Sequence, residues 1–299
     1  MLDQRSGYRF IVATGRRVSP TRTQRWGKTM STDRWATPDV PLDKPSVARM
    51  YDYYLGGFHN FAIDRQAADA VATLHPDVAL VMRANRAFLR RAVHFLVARG
   101  IDQFLDIGSG IPTVGNVHEV AQRENPAARV VYVDSDPVAV AHSASILQGN
   151  PLATVVQADA RNPDHILQNP AIHRMLDFDR PLGVLIVALL HFIPDDGEAY
   201  GLVRAVRDAV APGSYLAIGH GTMEGLPPER YAQMERLYAQ TTNPGRFRSR
   251  TAVERFFEEL MVLEPGVVHV PLWRPEGADD LFLDQPERSI NFAGVGYKP

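Results

Sequence analysis

FLDIGSGIPTVG, residues 104–115 of a 299-residue chain, decides how the rest is read. An apolar run ends in Gly108-Ser109-Gly110, where glycines let the backbone turn tightly and approach a ligand that any Cβ would obstruct. A dinucleotide loop would place a third glycine a few residues on, so that a helix N-terminus can meet the pyrophosphate. Here Pro112 and Thr113 stand instead, and Asp106 sets a negative charge beside the turn. An anionic phosphate would be repelled at such a loop. A ligand with adenine, ribose and a positive centre but no phosphate, S-adenosylmethionine, suits it better.

Outward from this loop the chain alternates strand-like and helix-like segments. Strands are predicted at 103–107, 129–133, 154–157, 183–190 and 215–219, with helices at 116–124, 137–147, 162–176 and 198–210 between them. The strands are continuously apolar, which predicts an α/β fold with a mostly parallel sheet covered by helices on both faces. Asn116 with Glu119 and Asp195 with Glu198 have capping-box spacing. Helices are also expected near 228–240 and 251–260, followed by strands at 267–273 and 291–297 with no helix between them. Those last two should form an antiparallel C-terminal hairpin.

Ahead of the sheet, Ser46 could cap a short helix that Gly56-Gly57 ends; a second helix is expected at 67–73. A third, 77–99, places Val81, Phe88, Ala92 and Phe95 on one side, with Arg83, Arg86, Arg90 and Arg91 on other faces. The domain reading is therefore an upstream extension or tail at 1–30, a helical lid at 31–99 and a ligand-binding core at 100–299. Residues 1–30 carry a net charge of +6 within a chain of net −2, and Met30 is a plausible start just beyond them. No apolar run is long enough to span a membrane. Cysteine is absent, so thiolate metal sites and cysteine nucleophiles are excluded, and a reducing cytoplasm is the expected location. His118-Glu119-Val120 has no second histidine at the spacing of a metal motif, so no metal is expected.

In an open α/β sheet, ligands bind beyond the carboxyl ends of the strands. Three successive strands end at an acid: Asp106, Asp134 and Asp159. Asp134, with Ser135 after it, sits where a carboxylate accepts both ribose hydroxyls, at roughly 1.5–3 kcal/mol per bond. Asp159, followed by Ala160, could accept from an adenine amine. His191, directly after the fourth strand, is the first candidate for a general base, ahead of His220 and His59.

PSVARMYDYYLGGFHNFAIDR (45–65), FLDIGSGIPTVGNVHEVAQ (104–122), VVYVDSDPVAVAH (130–142), VQADARNP (156–163) and LIVALLHFIPDD (185–196) together resemble the actinobacterial S-adenosyl methyltransferase family, one of the class I methyltransferases. The resemblance spans roughly 40–299. It implies a Rossmann-like, seven-stranded sheet and binding of S-adenosylmethionine. By the same likeness, Gly108, Ser109 and Gly110 would face the methionine part, Asp134 the ribose and Asp159 the adenine. The segment carrying Tyr54, Gly57 and Asn60 would fold over the cofactor.

The leading function is methyl transfer to a small-molecule acceptor. A non-catalytic S-adenosylmethionine-binding sensor is the alternative, and a nicotinamide oxidoreductase ranks third. No Asn-Pro-Pro-Tyr signature of amino-group methylation of bases follows the fourth strand, which argues against DNA adenine methylation. The acceptor atom and the oligomeric state are left open.

Overall fold

The computed structural model describes residue 40 and residues 42–112, 115–277 and 280–299. Thr113, Met30 and the basic segment 1–30 lie outside the described residues. All described residues belong to one compact unit, 36–299.

Three helices precede the sheet: α1 (Val47–Tyr54), α2 (Ala62–Leu74) and α3 (Val78–Val97). Alternation then begins with β1 (Gln103–Ile107), α4 (Val117–Glu124), β2 (Arg129–Asp134), α5 (Pro137–Ile146) and β3 (Ala153–Gln157). Next come α6 (Pro163–Leu167), α7 (Pro170–Met175), β4 (Gly183–Val187), α8 (Asp196–Ala209) and β5 (Tyr215–Gly221). The chain closes with α9 (Pro228–Tyr238), α10 (Arg250–Glu254), the two-residue β6 (Met261–Val262) and β7 (Val268–His269), and β8 (Asn291–Tyr297).

The sheet runs β3-β2-β1-β4-β5-β8-β6. The first five of these strands are parallel, and β8 lies antiparallel to β5. β6 and β7 pair antiparallel with opposite ends of β8, so eight segments fill seven strand positions. The apolar continuity of the strands follows from burial on both faces. Leu105, Val131, Val184 and Ile186 enter a core with Ile166, Ile172 and Leu202, from α6, α7 and α8. Their neighbours Phe104, Val130 and Leu185 pack on the other side with Phe88 and Leu96 of α3 and Val117 of α4. Fully buried Trp273 meets Phe88 and Phe95 edge-on, with ring centroids 5.3 and 5.8 Å apart.

Local signals explain the element starts. Glu119 accepts from the Asn116 N–H at 3.0 Å, completing the capping box that opens α4. Asp136 caps α5 by accepting from the Val138 N–H at 2.8 Å, with Pro137 pre-set for the first turn.

Several predicted boundaries are corrected. Residues 162–176 form two short helices, because Pro170 cannot donate an amide and starts α7 afresh. The helix expected at 251–260 ends as a 3₁₀ turn at Arg255–Phe257. Of 267–273 only Val268–His269 is strand; a 3₁₀ turn containing Pro271 follows. α2 starts five residues early, because the Asp64 carboxylate accepts from the Phe61 N–H at 2.8 Å.

Candidate active site

A cavity of about 250 Å³ opens at the carboxyl ends of β1, β2 and β4, where the strand order turns. The glycine loop forms its floor. The Gly108 and Ser109 N–H groups both donate to the Val133 carbonyl, at 2.8 and 3.1 Å. The Gly110 N–H donates to Asp134 Oδ2 at 2.7 Å, and the Asp136 N–H donates to Oδ1 at 2.8 Å. The end of β2 is thereby locked to the loop after β1. A carboxylate offers about four lone-pair positions, so Asp134 keeps acceptor capacity toward the cavity that it lines.

The two glycines differ in what a side chain would meet. Gly108 has φ +75°, and a Cβ there would stand 2.8 Å from the Leu189 side chain. Gly110 has φ +66°, and a Cβ there would meet nothing within 4 Å. Gly110→Ala should therefore cost only the left-handed backbone strain, about 1–2 kcal/mol. Gly108→Ala adds a steric conflict at the cavity floor, and its thermal unfolding midpoint should fall well below that of Gly110→Ala.

The charges in the cleft are unusual. Burial pushes the Asp106 carboxyl up to about 7, only partly opposed by the Arg86 guanidinium. Asp134 is likewise pushed up by burial to about 6, with the Asp136 and Gly110 N–H groups working against the rise. The Ser109 hydroxyl is buried without a hydrogen-bond partner. Two desolvated carboxylates and an unpaired hydroxyl suit a ligand carrying positive charge and hydroxyl groups, and disfavour a phosphate.

The family model for S-adenosyl methyltransferases matches residues 33–299. The chain belongs to that family. A crystal structure of a candidate methyltransferase from Thermobifida fusca is 41% identical, covering 89% of this chain and 99% of that one with a TM-score of 0.82. A protein of the DUF574 family from Streptomyces avermitilis is 38% identical over 86% of this chain and 98% of its own, with a TM-score of 0.81. No curated protein matches. The chain is thus an S-adenosylmethionine-dependent methyltransferase, with the mostly parallel sheet and antiparallel C-terminal strands read from its sequence.

Other sequence-predicted positions of this methyltransferase fall in different places around the cleft. Ser135 lines it beside Asp134. Asp159 and Ala160 line a smaller adjoining cavity of about 40 Å³. Arg161 grips both oxygens of Asp159 through Nε at 3.0 Å, which holds that carboxyl below its ordinary range. Tyr54, Gly57 and Asn60 do not line the main cleft. The Tyr54 hydroxyl donates to the Ala68 carbonyl at 3.1 Å. Asn60 Nδ2 donates to Asp52 at 2.8 Å, and a Cβ on Gly57 would fall 1.9 Å from the same carboxylate. Gly57 and Asn60 shape the turn between α1 and α2 around Asp52.

The N-terminal wall of the cleft is built from Ser46, Val47 and Tyr51 at α1 and from Asn85, Arg86 and Leu89 of α3. Arg86 lies 5.6 Å from the Tyr51 ring centroid, a cation–π contact at the cavity edge. By contrast Arg91, one of the arginines grouped with it on the other faces of α3, is buried and donates to the Trp273 and Val270 carbonyls at 2.9 Å.

His191 is buried, and its Nδ1 accepts from the Gly221 N–H at 3.0 Å. Burial, with Arg248 nearby, lowers its pKa to about 3. The ring is therefore neutral, with its proton on Nε2. In this tautomer Nε2–H is a hydrogen-bond donor, and the ring has no free nitrogen lone pair to serve as a base.

Proposed function

We propose that the main cleft holds S-adenosylmethionine and that the methyl acceptor is a small molecule, handled in the cytoplasm. Asp134 takes the ribose hydroxyls. Asp106 and the Gly108–Gly110 loop take the amino-acid end, with Ser109 as a further partner. Asp159 and Ala160 border the adenine. When bound, the cofactor supplies a methyl group on a positively charged sulfur, and its departure needs no proton donor. The protein's share is positioning, which can contribute on the order of 7–11 kcal/mol at best.

The observation that carries this reading is the pair of buried carboxylates, Asp106 and Asp134, beside the unpaired Ser109 hydroxyl. A small acceptor fits the cleft's enclosure by α1, whose Arg49 is fully buried in an ion pair with Asp64 at 2.9 Å. A large acceptor would have to displace that helix.

Calorimetric titration tests the donor: S-adenosylmethionine is expected to bind and NAD is not, and tighter NAD binding would overturn the reading. The titration should also depend on pH. Near pH 6 Asp106 is mostly protonated in the free protein, whereas a cationic amine beside it favours the carboxylate. Binding then releases a proton, and affinity should rise as pH goes from 6 to 8 before levelling off, by up to about tenfold per unit below 7. Heats measured in two buffers of different ionisation enthalpy check this. Absence of proton release at pH 6 would remove Asp106 from the amine's neighbourhood.

A further inference from the structure

A side cavity of about 40 Å³ adjoins the main cleft between α1, α3 and the loop after β4. Val47, Tyr51, Asn85, Ala188 and Phe192 line both spaces. Met50, Tyr54, Met82, His191, Tyr238 and Asn291 line the side cavity only. No aspartate, glutamate, lysine or arginine is among these residues, and five of them are aromatic rings, counting His191.

Two polar groups there have definite hydrogen-bonding capacity. Asn85 is only 2% exposed and its Oδ1 has no partner. Tyr51 lines the same cavity, and its hydroxyl is engaged elsewhere, donating to the Met82 carbonyl at 3.0 Å. The amide oxygen of Asn85 is thus the buried acceptor left free to receive a proton donor in this cavity. His191, fixed by the Gly221 N–H on Nδ1, carries its proton on Nε2. An unpaired acceptor and a neutral ring donor thus share one apolar cavity. Ala188, at its junction with the cleft, has φ +59°, a strained conformation for a residue with a Cβ and of the kind that gathers at functional sites.

We propose that this side cavity receives the methyl acceptor and selects a neutral hydroxyl on a slender apolar or aromatic carrier, Asn85 Oδ1 accepting from the hydroxyl and the His191 ring donating to its oxygen. The inference rests on reading the main cleft as the methyl-donor site. A hydroxyl fulfils both roles, whereas a carboxylate offers Asn85 no proton and an ammonium offers His191 no lone pair. Either ion would also be buried without a countercharge. The volume suits this assignment. Water needs about 10–15 Å³, so 40 Å³ admits a hydroxyl and an adjoining carbon or two while the rest of the acceptor lies in the main cleft.

The test uses the full chain with S-adenosylhomocysteine, the demethylated cofactor. Its binding is measured first, and if the wild-type protein does not bind it, the donor-site reading falls. With that site saturated, benzyl alcohol, benzoate and benzylammonium, matched in shape and differing in charge, are titrated by ligand-observed NMR. Benzyl alcohol is expected to bind at least about tenfold more tightly than either ion. Asn85→Leu, and independently Met82→Phe, which fills the cavity from a residue outside the main cleft, should each weaken the alcohol about tenfold more than they weaken S-adenosylhomocysteine. Equal binding of the three probes, or an alcohol affinity that neither variant changes, overturns the proposal while leaving the donor site standing.

Discussion

Asp106→Asn is expected to yield a protein that unfolds at a higher temperature and binds S-adenosylmethionine poorly. The side chain is buried at 4% exposure, and among the described residues no hydrogen bond reaches its carboxylate. Its folded-state pKa of about 7 lies above the ordinary 3.8, so folding favours the protonated form. The cost to stability is absent below the unfolded value, grows as pH rises from 4 to 7 and is complete above 7. Roughly 3 pKa units at ~1.4 kcal/mol each put that cost on the order of 4 kcal/mol at pH 8. Asparagine recovers only part, since its amide also needs partners and Arg86 loses a countercharge; a gain of about 1–3 kcal/mol is expected. In a domain this size that raises the unfolding midpoint by about 2–4 °C per kcal/mol. The advantage should shrink toward zero at pH 4–5, where the wild-type carboxyl is protonated in the folded protein. Binding moves the opposite way. Losing a charge-assisted hydrogen bond worth about 1.5–3 kcal/mol weakens the cofactor about 10- to 150-fold. Scanning calorimetry of the free protein at pH 5 and 8, with titration of the cofactor at pH 8, reads both effects. A variant less stable than wild type at pH 8, or one of unchanged affinity, would show that Asp106 is not the uncompensated charge of the cleft.

The strand-end side of the cleft was legible because each of its parts is local. Glycines at the end of an apolar strand, and acids at the ends of the next two, identify themselves by position along the chain, and parallel pairing brings strand ends together. The N-terminal wall was not legible in the same way. Which residues of a helix face a cleft depends on how that helix is rotated by its tertiary contacts. Arg86 and Arg91 look alike in sequence, yet one lines the cavity and the other lies beneath Trp273. Tyr54, Gly57 and Asn60 stood out as aromatic, flexible and polar, but the cleft is lined instead by Ser46, Val47 and Tyr51, one or two helical turns earlier. β6 and β7 were beyond reach for a simpler reason: two residues cannot show a period of two. His191 was correctly placed just after the fourth strand, but its tautomer is set by the Gly221 amide, 30 residues away.

Arg49→Met should cost about 3–5 kcal/mol of folding stability, the usual consequence of leaving a buried carboxylate without its partner. Arg49 is fully buried on α1, with Nε 2.9 Å from Asp64 of α2 and Nη1 3.5 Å from Asp136, the cap of α5. Its guanidinium also lies 5.2 Å from the Phe61 ring centroid. Ser46, next to α1, reinforces both ends: its N–H donates to Asp64 at 2.8 Å and its hydroxyl to Asp136 at 2.6 Å. One cation therefore joins the helix that walls the cleft to the strand-end segment carrying Asp134 and Ser135. Methionine approaches the length of the side chain but leaves Asp64, among the described residues, with only its N–H donors, from Ser46 and Phe61. Arg49→Lys retains charge without the planar fork that spans two carboxylates, and should fall between wild type and Arg49→Met. Ser46→Ala, which removes a single hydroxyl bond to Asp136, should cost only about 0.5–1.5 kcal/mol. Cofactor affinity should follow the same order, because a loosened α1 no longer walls the cleft proposed to hold the cofactor. Urea denaturation of the three variants, paired with cofactor titration under folding conditions, checks both orders. If Arg49→Met lies within about 1 kcal/mol of wild type, α1 is held by the apolar packing of its Met50 with Ala68 and Val71 of α2 rather than by this charge cluster.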